Sequence, residues 1–516
     1  MFCSIFNDVL GPVMRGPSSS HTAGSYHIAL IVRDLFGVEP RGIKISFDPD
    51  GSYGKTYVQQ GVDQAFVTGL MGWKQTDEIF TRALDTAKSQ GVDVSFEVIG
   101  LSQADHPNYV VIEAVGGDNQ HIKVEAKSVG GGTFKIVRVD GCETLVDGKS
   151  YVTLITVAKE NEKTTADLIK KNYPKVEISG YSIDDQKQLL QLSSNVPLRV
   201  EEFSILPTFD NIRQSNPVYY TQKGEALFTS AKEMLQYSTK HNLSLGETVL
   251  EYEKVILGLS EDEVIAEMLA RYAVMEQSVA DGLENSRVNM LLLEPMAGNI
   301  MASVRAAKVA IGGIHSLAGA AAMAAMHTCN SRGVVCAAPT GGAAGTLPGV
   351  LTALDGEFDI SRKQMALMLF AAGGIGLILA IRATFAAEVA GCQVEIGAAG
   401  AMGAAAVVEF AGGDASKACD AAAISFQNTM GSVCDLVQGM CELPCHTRNA
   451  AAASCAFTNA DMVLGGYLNH IDLDETIDAV YSSGLMLPRE LRCTALGGLA
   501  LAPSALLLNK DNNKQN

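Results

Sequence analysis

Apolar positions change their spacing along the chain, and those changes divide it. From Ala23 to Phe36 they recur at helical spacing, whereas Phe134 to Val139 alternates as a strand does. Residues 1–147 therefore read as a mixed α/β domain, closed by Gly130-Gly-Gly132 and that strand. A smaller module over 148–215 follows, with strand-like Tyr151 to Val157, helical Thr164 to Lys171, and strand-like Val176 to Ile183 and Val200 to Ile205. A polar junction, Pro207 to Gly224, leads to helical spacing at Glu225 to His241 and Glu247 to Leu257. Ser260-Glu-Asp-Glu263 has the spacing of a capping box ahead of a helix through Leu283. Beyond Met290 alanine, glycine and methionine dominate and charges are few, which predicts long buried helices packed closely. The expected class is α+β: an N-terminal mixed α/β domain over 1–147, a small α/β insert over 148–215, and a large all-α domain over 216–516.

Length and charge narrow the function. A chain of 516 residues exceeds one ordinary core, and 47% hydrophobic content excludes general disorder. The net charge of -18 argues against nucleic acid, whose phosphates demand a basic face. Eleven cysteines, an odd number, behind an N-terminus without a basic start or long apolar run, point to a reducing cytoplasm. Ala366 to Ile381 is apolar throughout but shorter than the roughly 20 residues that span a bilayer, so a helix buried in protein is expected there and no membrane partner. The large apolar C-terminal half makes a homodimer the expected assembly. Asn509 to Asn516 is polar and expected to fray.

Candidate chemistry concentrates between Gly391 and Asn449. Cys392, Cys434, Cys441 and Cys445 lie there in apolar, glycine-rich surroundings. Thiolates are the ligands that iron-sulfur clusters prefer, and a cluster needs three or four of them at one point. Free cysteine is also a small buried hydrophobe that an alanine-rich core collects, and no Cys-x-x-Cys pair decides between the two. Near the N-terminus, Gly16-Pro-Ser-Ser-Ser-His-Thr22 precedes a helix, placing Ser18, Ser19, Ser20 and His21 where backbone N–H groups and hydroxyls seat a carboxylate; a plain N-cap needs only one of those serines. The glycine-rich run Val334 to Pro348 can point Thr340 at a ligand oxygen, or simply allow close helix packing. His106, before Pro107, is either a proton-transfer group or a turn residue.

These motifs resemble the iron-sulfur-dependent L-serine dehydratases (L-serine ammonia-lyases), in the form that fuses both parts in one chain. That family carries a Gly-Cys-Gln-x-Glu-x-Gly segment, a Cys-Asp-Pro-Val opening and a Pro-Cys-x-x-Arg-Asn close, matched here at Cys392, Cys434 and Cys445, with Leu436 in place of the proline. The resemblance implies a 4Fe-4S cluster on those three thiolates, with one iron open to a small amino-acid substrate. Cys441 falls where the family does not usually carry cysteine and reads as core filler, as does Cys493 in the family-like Leu491 to Ala500. Gly-Pro-Ser-Ser-Ser-His-Thr matches the family's small domain, as do Gly51 to Tyr57 with Asp63 and His106-Pro-Asn108. It implies that Ser18 to Ser20, His21 and Thr340 bind substrate, with His106 and His21 as catalytic candidates. Where the family places a catalytic histidine, this chain has Gln60, which cannot exchange a proton near neutrality. A related substrate (threonine, cysteine or a hydroxy acid) or a catalytically silent amino-acid-binding protein is therefore the alternative. A pyridoxal-phosphate lyase would need a Schiff-base lysine, and Lys308, Lys363 and Lys417 offer no convincing one. The 148–215 module resembles an ACT domain but has Lys159-Glu-Asn-Glu-Lys163 in place of the effector-binding Asp-x-Pro-Gly turn.

Overall fold

The computed structural model describes residues 3–117, 120–199, 209–284 and 288–508. It is an α+β protein of two compact units. Ser20–Lys223 forms one; the N-terminal stretch through Ser19 joins everything from Gly224 onward in the other.

In the first unit a six-stranded sheet runs in the order Asp93–Val98, Gly42–Phe47, Tyr109–Val115, His121–Gly130, Thr133–Val139, Cys142–Val146. Only its first pair is parallel. Val110, Ile112 and Ala114, with Ile122, Val124 and Ala126 on the next strand, form one core with Ile28, Val32 and Leu35 of the helix Gly24–Phe36. That helix stops because Gly37 takes a left-handed conformation and donates its N–H to the Arg33 carbonyl.

A second, antiparallel sheet has the order Phe209–Ser215, Tyr151–Ala158, Lys187–Ser194, Glu177–Ser182. The two strands joined by the helix Glu162–Asn172 flank a third, which makes a split βαβ unit. Ile169 of the helix packs on Ile155, Val157, Leu190 and Leu192. Sequence pattern missed Lys187–Ser194 because it holds leucine and glutamine where strands favour β-branched residues, and Phe209–Ser215 because it is a polar edge strand. The expected strand at Val200 to Ile205 and the polar tail at Asn509 to Asn516 lie outside the described residues.

The other unit is a helical assembly. The first helix after Gly224 begins at Ala231, not near Glu225, because the Ser230 hydroxyl accepts the Glu233 N–H and caps it there. Capping boxes start the next two, Leu245–Leu257 from Ser244 and Glu261–Leu283 from Ser260. The apolar run expected around 366–381 belongs to a longer helix, Arg362–Arg382. By length and hydropathy it could cross a membrane, yet 78% of its most apolar window is buried inside the protein. A Cβ on Gly373, Gly374 or Gly376 would sit 2.7 Å from Ile5, 2.4 Å from Val249 and 2.2 Å from Val9 respectively, so hydrogen alone fits at these crossings.

Ile5 and Val9 belong to an N-terminal arm held at both ends. Glu253 accepts from Ser4 Oγ (2.5 Å), Ile5 N (2.9 Å) and Phe6 N (3.1 Å), while Arg271 Nε donates to the Leu10 carbonyl (2.5 Å) and its guanidinium lies 4.3 Å from the Phe6 ring centre. The arm then pairs Val13–Arg15 antiparallel with Val334–Cys336. This pairing delivers Gly16 to Ser19 onto Cys329 and the Thr340–Gly341 turn.

Candidate active site and cysteine cluster

The cysteines reach their places by different local devices. Gly391, at φ +74°, turns the chain so that Cys392 opens a tight turn just before the helix Ile396–Phe410. Cys434 lies on the two-residue strand Cys434–Asp435, and Cys445 begins the helix Cys445–Leu464. All three are buried in one cluster with Met326, Ala343, Ile396 and Ala399. The sulfurs of Cys392 and Cys434 and a Glu395 carboxylate oxygen lie within 4.8 Å of one another.

Cys441 and Cys493 depart from the expectation of core filler. Both are only half-buried, Cys441 against Cys445 and Cys493 against Cys434. Parallel pairing of Arg492–Thr494 with Cys434–Asp435 brings Cys493 there, at a left-handed φ of +58°.

Crowding sets the electrostatics. The neighbouring Cys434 thiol, then burial in opposition, then the Arg448 guanidinium act on Cys392, and the net effect lowers its pKa. Arg448 Nη1 is 3.9 Å from that sulfur and 2.8 Å from the Val433 carbonyl, and Nη2 is 2.9 Å from Asp435 Oδ1. The Cys434 thiol is pushed well up by Cys392 and Cys493, and the Cys445 thiol by Cys441, each reinforced by burial. Burial first, and then the Cys392 charge, holds the Glu395 carboxyl well above the usual range. Several acidic groups are thus crowded together, and a thiolate on Cys392 makes further ionisation unfavourable until a cation compensates it. Soft donors, burial and this demand for positive charge fit a thiolate-bound metal centre.

The Thr340 turn adjoins this pocket. A Cβ on Gly342 would stand 3.5 Å from a Glu395 oxygen and 3.9 Å from Thr340 Oγ1, so the glycine leaves a small space flanked by both. The Gly341 N–H donates to Ser19 Oγ (3.4 Å). Asn449 ties the turn to the cysteine helix: Nδ2 donates to the carbonyls of Gly342 and Cys445, both at 2.9 Å, and Oδ1 accepts from Thr346 N (3.0 Å) and Oγ1 (2.9 Å).

The remaining residues singled out in the sequence lie in the sheet unit. His21 Nε2 is 2.9 Å from Ser52 Oγ, and Nδ1 is 3.3 Å from Ser20 Oγ. Ser52 N donates to the Pro107 carbonyl (2.7 Å), and His106 Nδ1 accepts from Asn108 N (3.1 Å). Thr22 Oγ1 donates to the Gln60 carbonyl (3.2 Å), and the buried Gln60 Oε1 has no protein partner among the described residues. Segments 16–22, 51–60 and 106–108, far apart in sequence, are thus linked through Ser20 to Thr22. Burial lowers the His21 pKa to about 4, so its imidazole is neutral at pH 7. His106 is also lowered, by burial and then by Lys127. Ser18 and Ser19 belong to the helical unit, Ser20 and His21 to the sheet unit.

Sequence reasoning gave no role to Glu395, Arg448, Asn449 or Glu442. The first three sit inside the motifs already quoted, one helical turn or less from a cysteine, which was the available signal.

Comparison with known proteins places this geometry. The family profile described as "Serine dehydratase alpha chain" matches residues 240–500. The "Probable L-serine dehydratase, alpha chain" of Bacillus subtilis (strain 168) is 36% identical over 284 residues, covering 55% of this chain and 95% of that protein. The "L-serine dehydratase, alpha chain" of Peptoniphilus asaccharolyticus is 31% identical over 290 residues, 56% of this chain and 99% of that one. The "Probable L-serine dehydratase, beta chain" of Bacillus subtilis (strain 168) is 37% identical over 152 residues, 30% of this chain and 67% of the relative. With alpha-chain and beta-chain relatives both matching it, the chain belongs to the serine dehydratases, a family of carbon–oxygen lyases.

Proposed function

We propose that the protein is an L-serine ammonia-lyase that converts L-serine to pyruvate and ammonia, with a 4Fe-4S cluster held by Cys392, Cys434 and Cys445. The observation that carries this reading is the burial of three chain-distant cysteines in one cluster, with the Cys392 and Cys434 sulfurs within 4.8 Å of each other. A cluster held by these thiolates would supply Lewis-acid chemistry toward the substrate's hydroxyl and carboxylate. The chain's own residues supply the rest. Ser18, Ser19, Ser20, His21 and Thr340 hold the substrate's polar groups, and burial keeps His21 neutral and able to accept a hydrogen bond at one ring nitrogen. His106, half-buried, is the candidate for moving the α-proton, a contribution of about 10²- to 10⁴-fold in rate. Loss of that proton and of the β-hydroxyl leaves an aminoacrylate, which tautomerises and hydrolyses to the products. The reducing cytoplasm suits such a centre, and a homodimer suits the apolar helical unit.

Gln60 favours a second reading, a related substrate such as threonine, cysteine or a hydroxy acid, because the usual histidine is replaced by a side chain that cannot take a proton. Anaerobic purification with iron reconstitution, followed by assay of 2-oxo acid release from serine, threonine and cysteine, separates the two. Serine turnover supports the first reading. Iron binding without serine turnover supports the second, and Gln60→His is then expected to restore activity on serine.

A further inference from the structure

Arg448 stands in the first turn of the helix Cys445–Leu464, half-buried, and its guanidinium meets three partners in three directions. Nη1 divides its two hydrogens between the Val433 carbonyl (2.8 Å) and the Cys392 sulfur (3.9 Å), while Nη2 faces Asp435 Oδ1 (2.9 Å). Asp435 is in turn fixed by the C-terminal segment. Its other oxygen accepts the Leu499 N–H (2.7 Å), and a Cβ on Gly498, at φ +59°, would stand 2.3 Å from that same oxygen. Hydrogen alone fits there. Asp435 is only 2% exposed, and its own charge works against a thiolate on Cys392. A buried carboxylate beside an acidic thiol is unfavourable unless it is paired, so its place there is explained by what it does to Arg448.

We infer that Arg448 is a positioning residue that donates an N–H to the Cys392 thiolate, and that Asp435, held by Leu499, aims it there. This role rests on the proposed cluster at Cys392. A charge-assisted hydrogen bond draws electron density from a ligating sulfur, which leaves the metal a stronger Lewis acid and easier to reduce. Arginine suits the task because its rigid fork serves Val433, Asp435 and Cys392 together. A lysine ammonium would bring the charge without the fixed direction.

The one-electron reduction midpoint of the full chain, reconstituted anaerobically and followed by electron paramagnetic resonance in a redox titration, reads this bond directly. Arg448→Lys keeps the charge and removes the fork, and Arg448→Met removes both. Gly498→Ala alters no charge and no cysteine, but drives a methyl into Asp435. Losing one hydrogen bond to a charged group is worth about tenfold. Arg448→Lys and Gly498→Ala are therefore each expected to make reduction about tenfold less favourable, a midpoint about 59 mV lower, and Arg448→Met to lower it further. Thermal unfolding checks that each variant is folded, and Gly498→Ala stands alone if the arginine variants are not. An unmoved midpoint in folded Arg448→Lys means that charge alone suffices and overturns the directed bond. An unmoved midpoint in folded Gly498→Ala overturns the role of Asp435. Loss of the cluster from a folded variant marks a merely structural role and overturns the inference as well. Parent protein that takes up no cluster overturns the cluster proposal and this role with it, whereas a cluster-bearing parent with unmoved variants overturns this role alone.

Discussion

Replacing Glu442 by glutamine tests whether the cysteine pocket is held open by buried backbone anchoring. Glu442 is completely buried next to Cys441, and its carboxylate accepts the N–H groups of Leu291 (2.7 Å), Leu292 (2.7 Å) and Leu293 (2.9 Å). Its own carbonyl receives the His446 N–H at the start of the Cys445 helix (3.1 Å). Three successive N–H groups converging on one anion are the arrangement that binds anions tightly, and hydrogen bonds to a charged group contribute about 1.5–3 kcal/mol each. Glutamine keeps one acceptor but turns an N–H₂ group toward at least one backbone N–H. The expected destabilisation is about 3–5 kcal/mol, since one or two bonds are lost and a buried donor is left unpaired. At roughly 2–4 °C per kcal/mol for a unit of this size, the thermal midpoint should fall by about 10 °C. The assay is anaerobic thermal unfolding by circular dichroism, with iron content after reconstitution measured in parallel. A midpoint within about 2 °C of the parent, with unchanged iron content, would refute the reasoning.

Other perturbations address separate parts of the molecule. Burial raises the Glu253 pKa from 4.5 to about 7, so the stability this group provides is full below pH 4.5 and is lost as pH rises through 7. The difference corresponds to about 3 kcal/mol, and Glu253→Gln should flatten the fall in unfolding midpoint between pH 5 and 8; an undiminished slope assigns it to other groups. Gly376→Ala gains about 1 kcal/mol of helix propensity but drives a methyl to 2.2 Å from Val9, so a net loss of stability is expected; a rise in unfolding midpoint would show that the crossing has slack. Serine at Cys392, Cys434 or Cys445 should each abolish the brown absorbance of reconstituted protein, whereas serine at Cys441 or Cys493 should leave most of it. Equal loss at all five positions would mean that the three-ligand assignment is wrong.

What the sequence revealed depended on how local the deciding interaction was. The Ser260–Glu263 capping box was legible because both partners lie within four residues, and the structure forms it. The equivalent box at Ser244 and Glu247 lies just ahead of the apolar spacing from Glu247 onward, so that spacing alone does not disclose it. Lys187–Ser194 could not be read locally, since its strand conformation follows from neighbours on both sides, Tyr151–Ala158 and Glu177–Ser182. The half-buried settings of Cys441 and Cys493 were equally hidden. Cys493 reaches Cys434 through a strand pairing some sixty residues apart in sequence, which no spacing rule encodes.

The seven-residue motif at Gly16 shows why motif resemblance succeeded where periodicity fell short. A Cβ on Gly16 would stand 2.0 Å from the Cys329 carbonyl oxygen, so no other residue fits. The Cys329 sulfur in turn lies 3.6 Å from the Pro17 carbonyl oxygen and 3.4 Å from that of Gly341, either of which can accept its one S–H, and a Cβ on Gly341 would stand 2.9 Å from Ser19 N. Downstream of Ser19 the partners change: His21 holds Ser52, and Thr22 holds Gln60. Each position answers to a different part of the chain, so nearly every substitution would break a distinct contact. That multiplicity of constraint, absent from a helix face on which any apolar residue serves, is what lets seven letters specify so much. It also makes Gln60 informative, because its contact to Thr22 is made by the backbone carbonyl and does not depend on which side chain stands there.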